Sequence, residues 1–404
     1  MDGEENFIAL IIQSLTGRFN QTIGSIVINM KVSLMSLTDF RTLGRSGLAV
    51  SPLTLGTMTF GTARWGQDEV GSRAVFNAYV DAGGNAIDTA DVYAGGRSEE
   101  MLGGFIAERG LRDQIVLATK SGFGVGSGPH SGGNGAKHVN AALNRSLARL
   151  KTHYVDLYWI HVWDGLTPAE EMLETMAGLV RSGKIRYWGI SNAPAWFVAK
   201  LATLAALRGQ PGPIALQYFY SLVNRDVEDE HIPLAAEFGL GVVPWSPLGY
   251  GLLTGKYRRE VVEASGPRAG GLPSVAATGS DERPIDDKRL DGPNPFGDSL
   301  FTERNWAIVE AVRRVAEATG QSSTRVALSW VIGRPGVSTT LMGVSRPDQI
   351  ADNAAALDLV LSPDDRTALD KASASAEPRM LYELFTPALR RQVVFGGSSV
   401  RHLG

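Results

Sequence analysis

Four side chains able to move or hold a proton follow short apolar runs: Asp88 after NAI, Lys120 after IVLAT, His161 after VDLYWI, and Tyr93 five residues beyond Asp88. A free phenol has a pKa near 10 and is a poor acid at neutral pH. A lysine within about 4 Å stabilises its phenolate by on the order of 4 kcal/mol at an effective dielectric near 20. Such a lysine is expected to bring Tyr93 toward the range where it donates and recovers a proton. Asp88 is expected to keep Lys120 charged and fixed, and His161 to hydrogen-bond a substrate oxygen. Taken singly, each has a blander explanation: lysines are usually solvated, and a strand-end histidine is more often a satisfied structural residue. The octapeptide AIDTADVY (86–93) is read as a strand end, a turn and the phenol, with no chemistry assigned to Thr89, Ala90 or Asp91.

Other chemistries find less support. The chain has no cysteine, which excludes thiolate catalysis, thiolate zinc sites and disulfides. Its six histidines form no HxH or HxxxH pair, so no metal site is expected. No serine stands in a GxSxG elbow, and LTLGTMTFG is not the GxGxxG of a dinucleotide-binding open sheet.

The elements that must position these groups are legible from rhythm. Strand candidates fall at 54–57, 85–88, 115–120, 155–160, 187–191, 214–218, 241–245 and 338–343, with amphipathic segments between them. In one of those segments Met172, Met176, Leu179 and Val180 share a helical face. Strands alternating with helices in this number fit a closed (β/α)8 TIM barrel better than an open sheet. In such a barrel the strand ends converge on one mouth, and almost every run here finishes in a polar or hydrogen-bonding residue. Residues 40–52 read as a hairpin around Gly44-Arg45-Ser46-Gly47. Ser362 is an expected N-cap for a late helix.

The chain has 404 residues, 44% hydrophobic, 20% charged, with a formal net charge of −3. That near-neutral balance gives no electrostatic footprint for nucleic acid or an anionic membrane. The start, MDGEENFIALIIQSLTG, is acidic with too short an apolar run for a signal peptide or a span of roughly 20 residues, so a soluble, cytoplasmic protein is expected. Residues 1–37 are expected to be an extension ahead of the fold, with 38–404 forming the barrel domain. Within it, 258–300 is a long Gly-, Pro-, Ser- and charge-rich loop, and 377–404 is a tail with Tyr382, Phe385 and Phe395, expected to pack over one end of the barrel. No repeat at solenoid period is visible.

From about Phe40 to about Ala376 the sequence resembles the aldo-keto reductases. The motifs LGTMTFG, IDTADVY, SEEMLG, ATK, DLYWIH, GKIRYWGISN, LQYFYSLVNR, PWSPLGYGLLTGKY and GVSRPDQIADN occur in that family's order. The closest flavour is the branch of bacterial aldehyde and sugar reductases and potassium-channel β subunits. The resemblance implies a barrel plugged below by a hairpin, NADP(H) bound without a Rossmann fold, and reduction of aldehydes or ketones. Residue by residue, it implies a catalytic tetrad of Asp88, Tyr93, Lys120 and His161, with Tyr93 as general acid. Ser191, Asn192 and Gln217 match residues that hydrogen-bond the nicotinamide carboxamide, and Trp245 matches the aromatic on which that ring stacks. Gly56, Thr57 and Met58 at the first strand end, and Asp88 at the second, join the cofactor set. Ser246, Pro247, Leu248, Gly249 and Lys256 match the pyrophosphate side; Gly343, Ser345, Arg346, Gln349, Asp352 and Asn353 match the adenosine end.

Arg346, at a helix start that itself favours anions, offers a forked contact to a 2′-phosphate and so favours NADP(H) over NAD(H). Met58, Trp65, Tyr93, His161 and Trp163, with the tail near Phe385, are expected to shape access for a small carbonyl compound, an aldehyde, ketone or sugar. The glycine-heavy loop after Lys120 departs from any substrate pattern, and which of Arg258, Arg259 or Arg268 reaches the cofactor is left open. A regulatory subunit of the channel-β kind, with slow or no turnover, and a purely structural barrel are the competing readings. Substrate, direction and oligomeric state are not encoded in any motif.

Overall fold

A computed structural model describes residues 36–62, 65–265, 288–290, 296, 298–375, 387–394 and 397–399. Residues 1–35 of the expected 1–37 extension and most of the 258–300 loop and of the tail, Phe385 and Phe395 included, lie outside these residues. What is described of the long loop opens with a helix at Arg259–Ala264.

A hairpin of β1 (Arg41–Thr42) and β2 (Ala49–Val50) precedes eight parallel strands. These are β3 (Leu53–Gly56), β4 (Ala86–Asp88), β5 (Val116–Ser121), β6 (Val155–Ile160), β7 (Ile185–Ser191), β8 (Ala215–Phe219), β9 (Gly241–Trp245) and β10 (Thr340–Gly343). They pair in the order β10-β3-β4-β5-β6-β7-β8-β9. The remaining seam, β9 against the chain just before β10, is held by Val242 N–H to the Gly336 carbonyl (2.9 Å) and Ser338 N–H to the Val242 carbonyl (3.0 Å). The sheet thus closes into the expected (β/α)8 barrel, and the expected strand positions agree to within two residues at each end.

Helices intervene at Glu69–Asp81 (α1), Arg97–Arg109 (α2), Ala136–Arg149 (α3), Ala169–Arg181 (α4), Ala195–Arg208 (α5) and His231–Phe238 (α6). Local sequence chemistry sets several starts: Asp68 caps α1 through Gly71 N–H (2.8 Å), and Ser362, as expected, caps a helix at Pro363–Ser373 through Asp365 N–H (3.1 Å). On α4, Met172, Met176 and Leu179 are buried together, with Val180 at the margin of the face.

The period-two alternation of the strands divides the core in two. Ala86, Ala118, Leu157, Trp159, Ala215, Val243 and Leu341 fill the barrel interior with Leu43 and Val50 of the hairpin. Residues of opposite phase face the helices: the Tyr158 hydroxyl donates to Ser121 Oγ (2.7 Å) and Thr119 Oγ1 to Glu99 of α2 (2.5 Å). Gly189 makes room for Trp159, whose ring would lie 2.3 Å from a Cβ added there. The hairpin seals one end by main-chain contact: Arg45 N–H donates to the Gly239 carbonyl (2.7 Å) and Gly44 N–H to Ser338 Oγ (3.3 Å).

Candidate active site

The same alternation explains why the polar strand ends converge. Each lies two residues beyond an interior residue of its strand: Asp88 after Ala86, Lys120 after Ala118, His161 after Trp159, Ser191 after Gly189, Gln217 after Ala215, Trp245 after Val243. Phase delivers the side chains into one space above the packed interior, although their positions run from 88 to 245 in the chain.

Lys120 is fully enclosed and is the hub. Its ammonium makes a close ion pair with Asp88 Oδ2, donates to the Thr89 carbonyl (2.9 Å) and reaches the Tyr93 hydroxyl at 3.3 Å. Asp88 Oδ1 accepts from Gln217 Nε2 (3.2 Å). Ser191 Oγ donates to the Gln217 carbonyl (2.7 Å), and Asn192 Nδ2 donates to Ser191 Oγ (2.9 Å) and to the His161 carbonyl (2.9 Å). The Trp245 indole N–H then reaches Asn192 Oδ1 (3.3 Å). One hydrogen-bonded chain therefore connects the Lys120 ammonium to the Trp245 ring.

Burial works against the Lys120 charge, but the Asp88 and Tyr93 oxygens more than restore it, so the ammonium is kept. Burial likewise pushes the Asp88 carboxyl upward against the pull of Lys120 and Gln217. His161 is held neutral, well below its usual range, first by burial and then by the Lys120 charge. The ring of Tyr93 stands edge-on to that imidazole at 5.9 Å between centroids, with Phe123 on it at 4.6 Å. His161 Nδ1 is buried and has no hydrogen-bond partner among the described residues.

The Tyr93 phenol corrects an expectation. Lys120 is where it was expected, yet the phenol is raised above its ordinary value, because burial outweighs the ammonium. Tyr93 is thus held as a protonated donor, beside a cation that favours the anion it would leave. Asp91 adds a second surprise: it is only 3% exposed, and neither carboxylate oxygen has a hydrogen-bond partner among the described residues.

The other expected residues divide by surroundings. Thr57 is enclosed, with its N–H (2.9 Å) and hydroxyl (3.2 Å) both directed at the Asp88 carbonyl, and Gly56 pairs with Asp88 across the sheet. Trp245 is half-buried and stacks on Phe219 (4.8 Å, 18°), with Tyr250 edge-on. Beside it Ser246, Gly249, Tyr250 and Gly251 all have positive φ, coiling residues 246–251 tightly around Pro247 and Leu248, and the Lys256 amine folds back over Gly251. At the far end Gly343 and Arg346 are exposed. The Arg346 guanidinium forks onto Asp348 (3.1 and 3.0 Å), and Gln349 accepts from the Ser345 and Arg346 amides (2.8 and 3.2 Å). Asp352 pairs with Arg325 (2.9 Å), and Asn353 is buried. Trp163 packs against Trp196 and Phe197.

Of the loop arginines, Arg259 pairs with Glu263 and Glu303 on the surface, and Arg268 lies outside the described residues. The arginine over the mouth is Arg289, which no motif singled out. It donates to Met58 Sδ (3.2 Å) and lies over the rings of Trp65 (4.5 Å) and Tyr250 (4.2 Å). Among the described residues no cluster of histidine and carboxylate ligands could hold a metal, and no helix is long and apolar enough to cross a membrane.

Comparison with known proteins fits this geometry. The family profile described as "Aldo/keto reductase family" matches residues 52–374. A probable voltage-gated potassium channel subunit beta of Oryza sativa is 34% identical over 80% of this chain and 92% of its own. Norsolorinic acid reductase A of Aspergillus parasiticus is 31% identical over 81% of this chain and 79% of its own. An aryl-alcohol dehydrogenase [NADP(+)] of Phanerodontia chrysosporium is 30% identical over 79% and 81% respectively. With strands, strand-end residues and family profile in agreement over most of its length, the chain belongs to the aldo/keto reductase family and is an oxidoreductase of that kind.

Proposed function

We propose that the protein is an NADP(H)-dependent reductase of aldehydes or ketones in which Tyr93 is the proton donor. The observation that carries this reading is the enclosed Lys120, in contact with both Asp88 and Tyr93 beside a neutral His161. The residues present suit the cofactor. Trp245 offers an aromatic platform, Ser191, Asn192 and Gln217 group amide and hydroxyl partners beside it, and Lys256, Arg289 and Arg346 supply cations toward the phosphates.

When bound, NADPH supplies the hydride that adds to the carbonyl carbon. His161, neutral and fixed through its carbonyl by Asn192, orients the carbonyl oxygen. As negative charge grows on that oxygen, the Tyr93 hydroxyl gives it its proton. Lys120 stabilises the phenolate left behind, and Asp88 holds Lys120 in place. The product is an alcohol, and Tyr93 regains its proton from water. The reductase and aryl-alcohol dehydrogenase relatives favour this reading, and the NADP(+) in one of their names favours the cofactor.

The test is NADPH consumption with a panel of aldehydes and ketones. Tyr93→Phe is expected to lower kcat by about 10²-fold or more while NADPH still binds. Full activity in that variant would remove Tyr93 from the mechanism. A second reading, a cofactor-binding regulatory subunit, is favoured by the potassium-channel β relative. Tight NADPH binding without turnover on any carbonyl would select it.

A further inference from the structure

The turn that carries Tyr93 is bound to Lys120 twice, through side chain and main chain. The Lys120 ammonium donates to the Thr89 carbonyl (2.9 Å), and the Lys120 carbonyl accepts from the Asp91 N–H (3.1 Å). Tyr93 N–H in turn donates to the Ala90 carbonyl (3.2 Å), and Ala94, Gly95 and Gly96 behind it all have positive φ. Asp91 therefore stands between the lysine and the phenol in one short hydrogen-bonded turn, and a displacement of its main chain is passed to both.

The Asp91 side chain is enclosed, with neither carboxylate oxygen hydrogen-bonded among the described residues. The charged and titratable groups that interact with it are Glu99 of α2, Arg145 and Arg149 of α3, and the Tyr158 phenol of β6. Of the two buried carboxyls, Glu99 takes the donors: Thr119 Oγ1 (2.5 Å) and the Arg149 guanidinium (2.6 Å). Asp91 is left with burial and a like charge, so the neutral acid is favoured and ionises at about 7. The groups around the proton are set away from neutrality: Tyr93 and Lys120 are raised above their ordinary values, and His161 is held below its own.

We propose that Asp91 is a positioning residue for Tyr93: as the neutral acid it lets the turn close on Lys120, and on ionising it loosens that turn and slows proton donation. This inference rests on the carbonyl reductase reading and adds to it a control by pH. A buried carboxylate without donors is a costly species, relieved by movement of the turn that carries it. A small misplacement of the phenol is enough to slow a proton transfer that depends on its geometry.

The experiment follows kcat per folded molecule for a small aldehyde at saturating NADPH, between pH 6 and pH 8, in the wild type and in Asp91→Asn. Wild-type kcat is expected to fall about fivefold across this window, while the isosteric variant, which never ionises, stays within about twofold. The Kd for NADPH is expected to be the same in both. Asp88 is raised as well, so the difference between the two proteins decides, and an equal fall in both, or a flat wild-type profile, overturns the proposal. Arg145→Glu, at an exposed position, puts a repulsive charge where an attractive one stood and is expected to move the midpoint up by about half a pH unit. If Asp91→Asn does not fold, that shift decides, and an unmoved midpoint overturns the assignment. If the wild type reduces no aldehyde, the reductase reading fails, and the turn is followed through the ¹³Cζ resonance of Tyr93, assigned with Tyr93→Phe. A resonance that moves with pH in the wild type and stays still in Asp91→Asn supports the positioning role; the same behaviour in both overturns it.

Discussion

Asp91 lies two residues ahead of Tyr93 and is pushed up to about 7, first by burial and next by the Glu99 carboxylate, against the pull of Arg149 and Arg145. In the unfolded chain the same carboxyl ionises near its ordinary 3.8. The folded pKa is the higher one, so folding favours the protonated form. The stability this contributes is complete below the unfolded value and is lost as pH rises from about 4 to about 7. Asp91→Asn, which never ionises, is expected to flatten that fall. Thermal melts at pH 5 and pH 8 should show the variant gaining on the wild type at the higher pH by on the order of 2–4 kcal/mol. Equal pH dependence in both proteins would mean that Asp91 titrates as an ordinary carboxylate. None of this was legible in AIDTADVY, because the charges that act on Asp91 stand far along the chain at Glu99, Arg145 and Arg149.

At the scale of elements, the hairpin β1–β2 meets the barrel at a position that tolerates no side chain. Gly44 has φ +59°, and a Cβ there would stand 2.5 Å from Gly241 N, 2.6 Å from the Ile214 oxygen and 2.7 Å from the Gly239 oxygen. All three are main-chain atoms of the barrel floor, so none can rotate away. Gly44→Ala is expected to cost on the order of 3 kcal/mol, read as a lower urea midpoint with turnover per folded molecule preserved. An unchanged midpoint would show that the hairpin carries little of the fold's stability. The hairpin and the barrel strands could be read from sequence for a shared reason. Apolar runs such as VDLYWI and GVVPW end where chain phase places a polar group, and Gly44 to Gly47 cannot continue a strand. That Asp88, Lys120 and His161 would meet was legible because each follows the apolar run of its own strand, whereas Tyr93 comes back to them from the turn beyond β4. The link from Gln217 to Asp88 was not, since it joins residues 129 positions apart, nor was Arg289, which sits in a stretch with no periodicity at all.

At the scale of the whole molecule, cofactor and fold are linked by mass action. At a concentration of 100 times its Kd, NADPH is expected to stabilise the protein by about 2.7 kcal/mol, raising the melting temperature by a few degrees. At equal concentration NADH should raise it less, and Arg346→Ala should narrow the gap, because that guanidinium would leave Asp348 for the 2′-phosphate. Equal shifts from the two nucleotides in the wild type would remove the preference for NADP(H). Such melts read the whole cooperative unit and need no knowledge of the substrate.

The hairpin that stoppers the barrel also decides its traffic. With Leu43 and Val50 packed into one cluster with Trp159, the way in among the described residues is the mouth at Tyr93, His161, Trp245 and Arg289. Whatever comes to rest deepest has to arrive first and depart last. A molecule lodged at the rim would hold the door for everything inside.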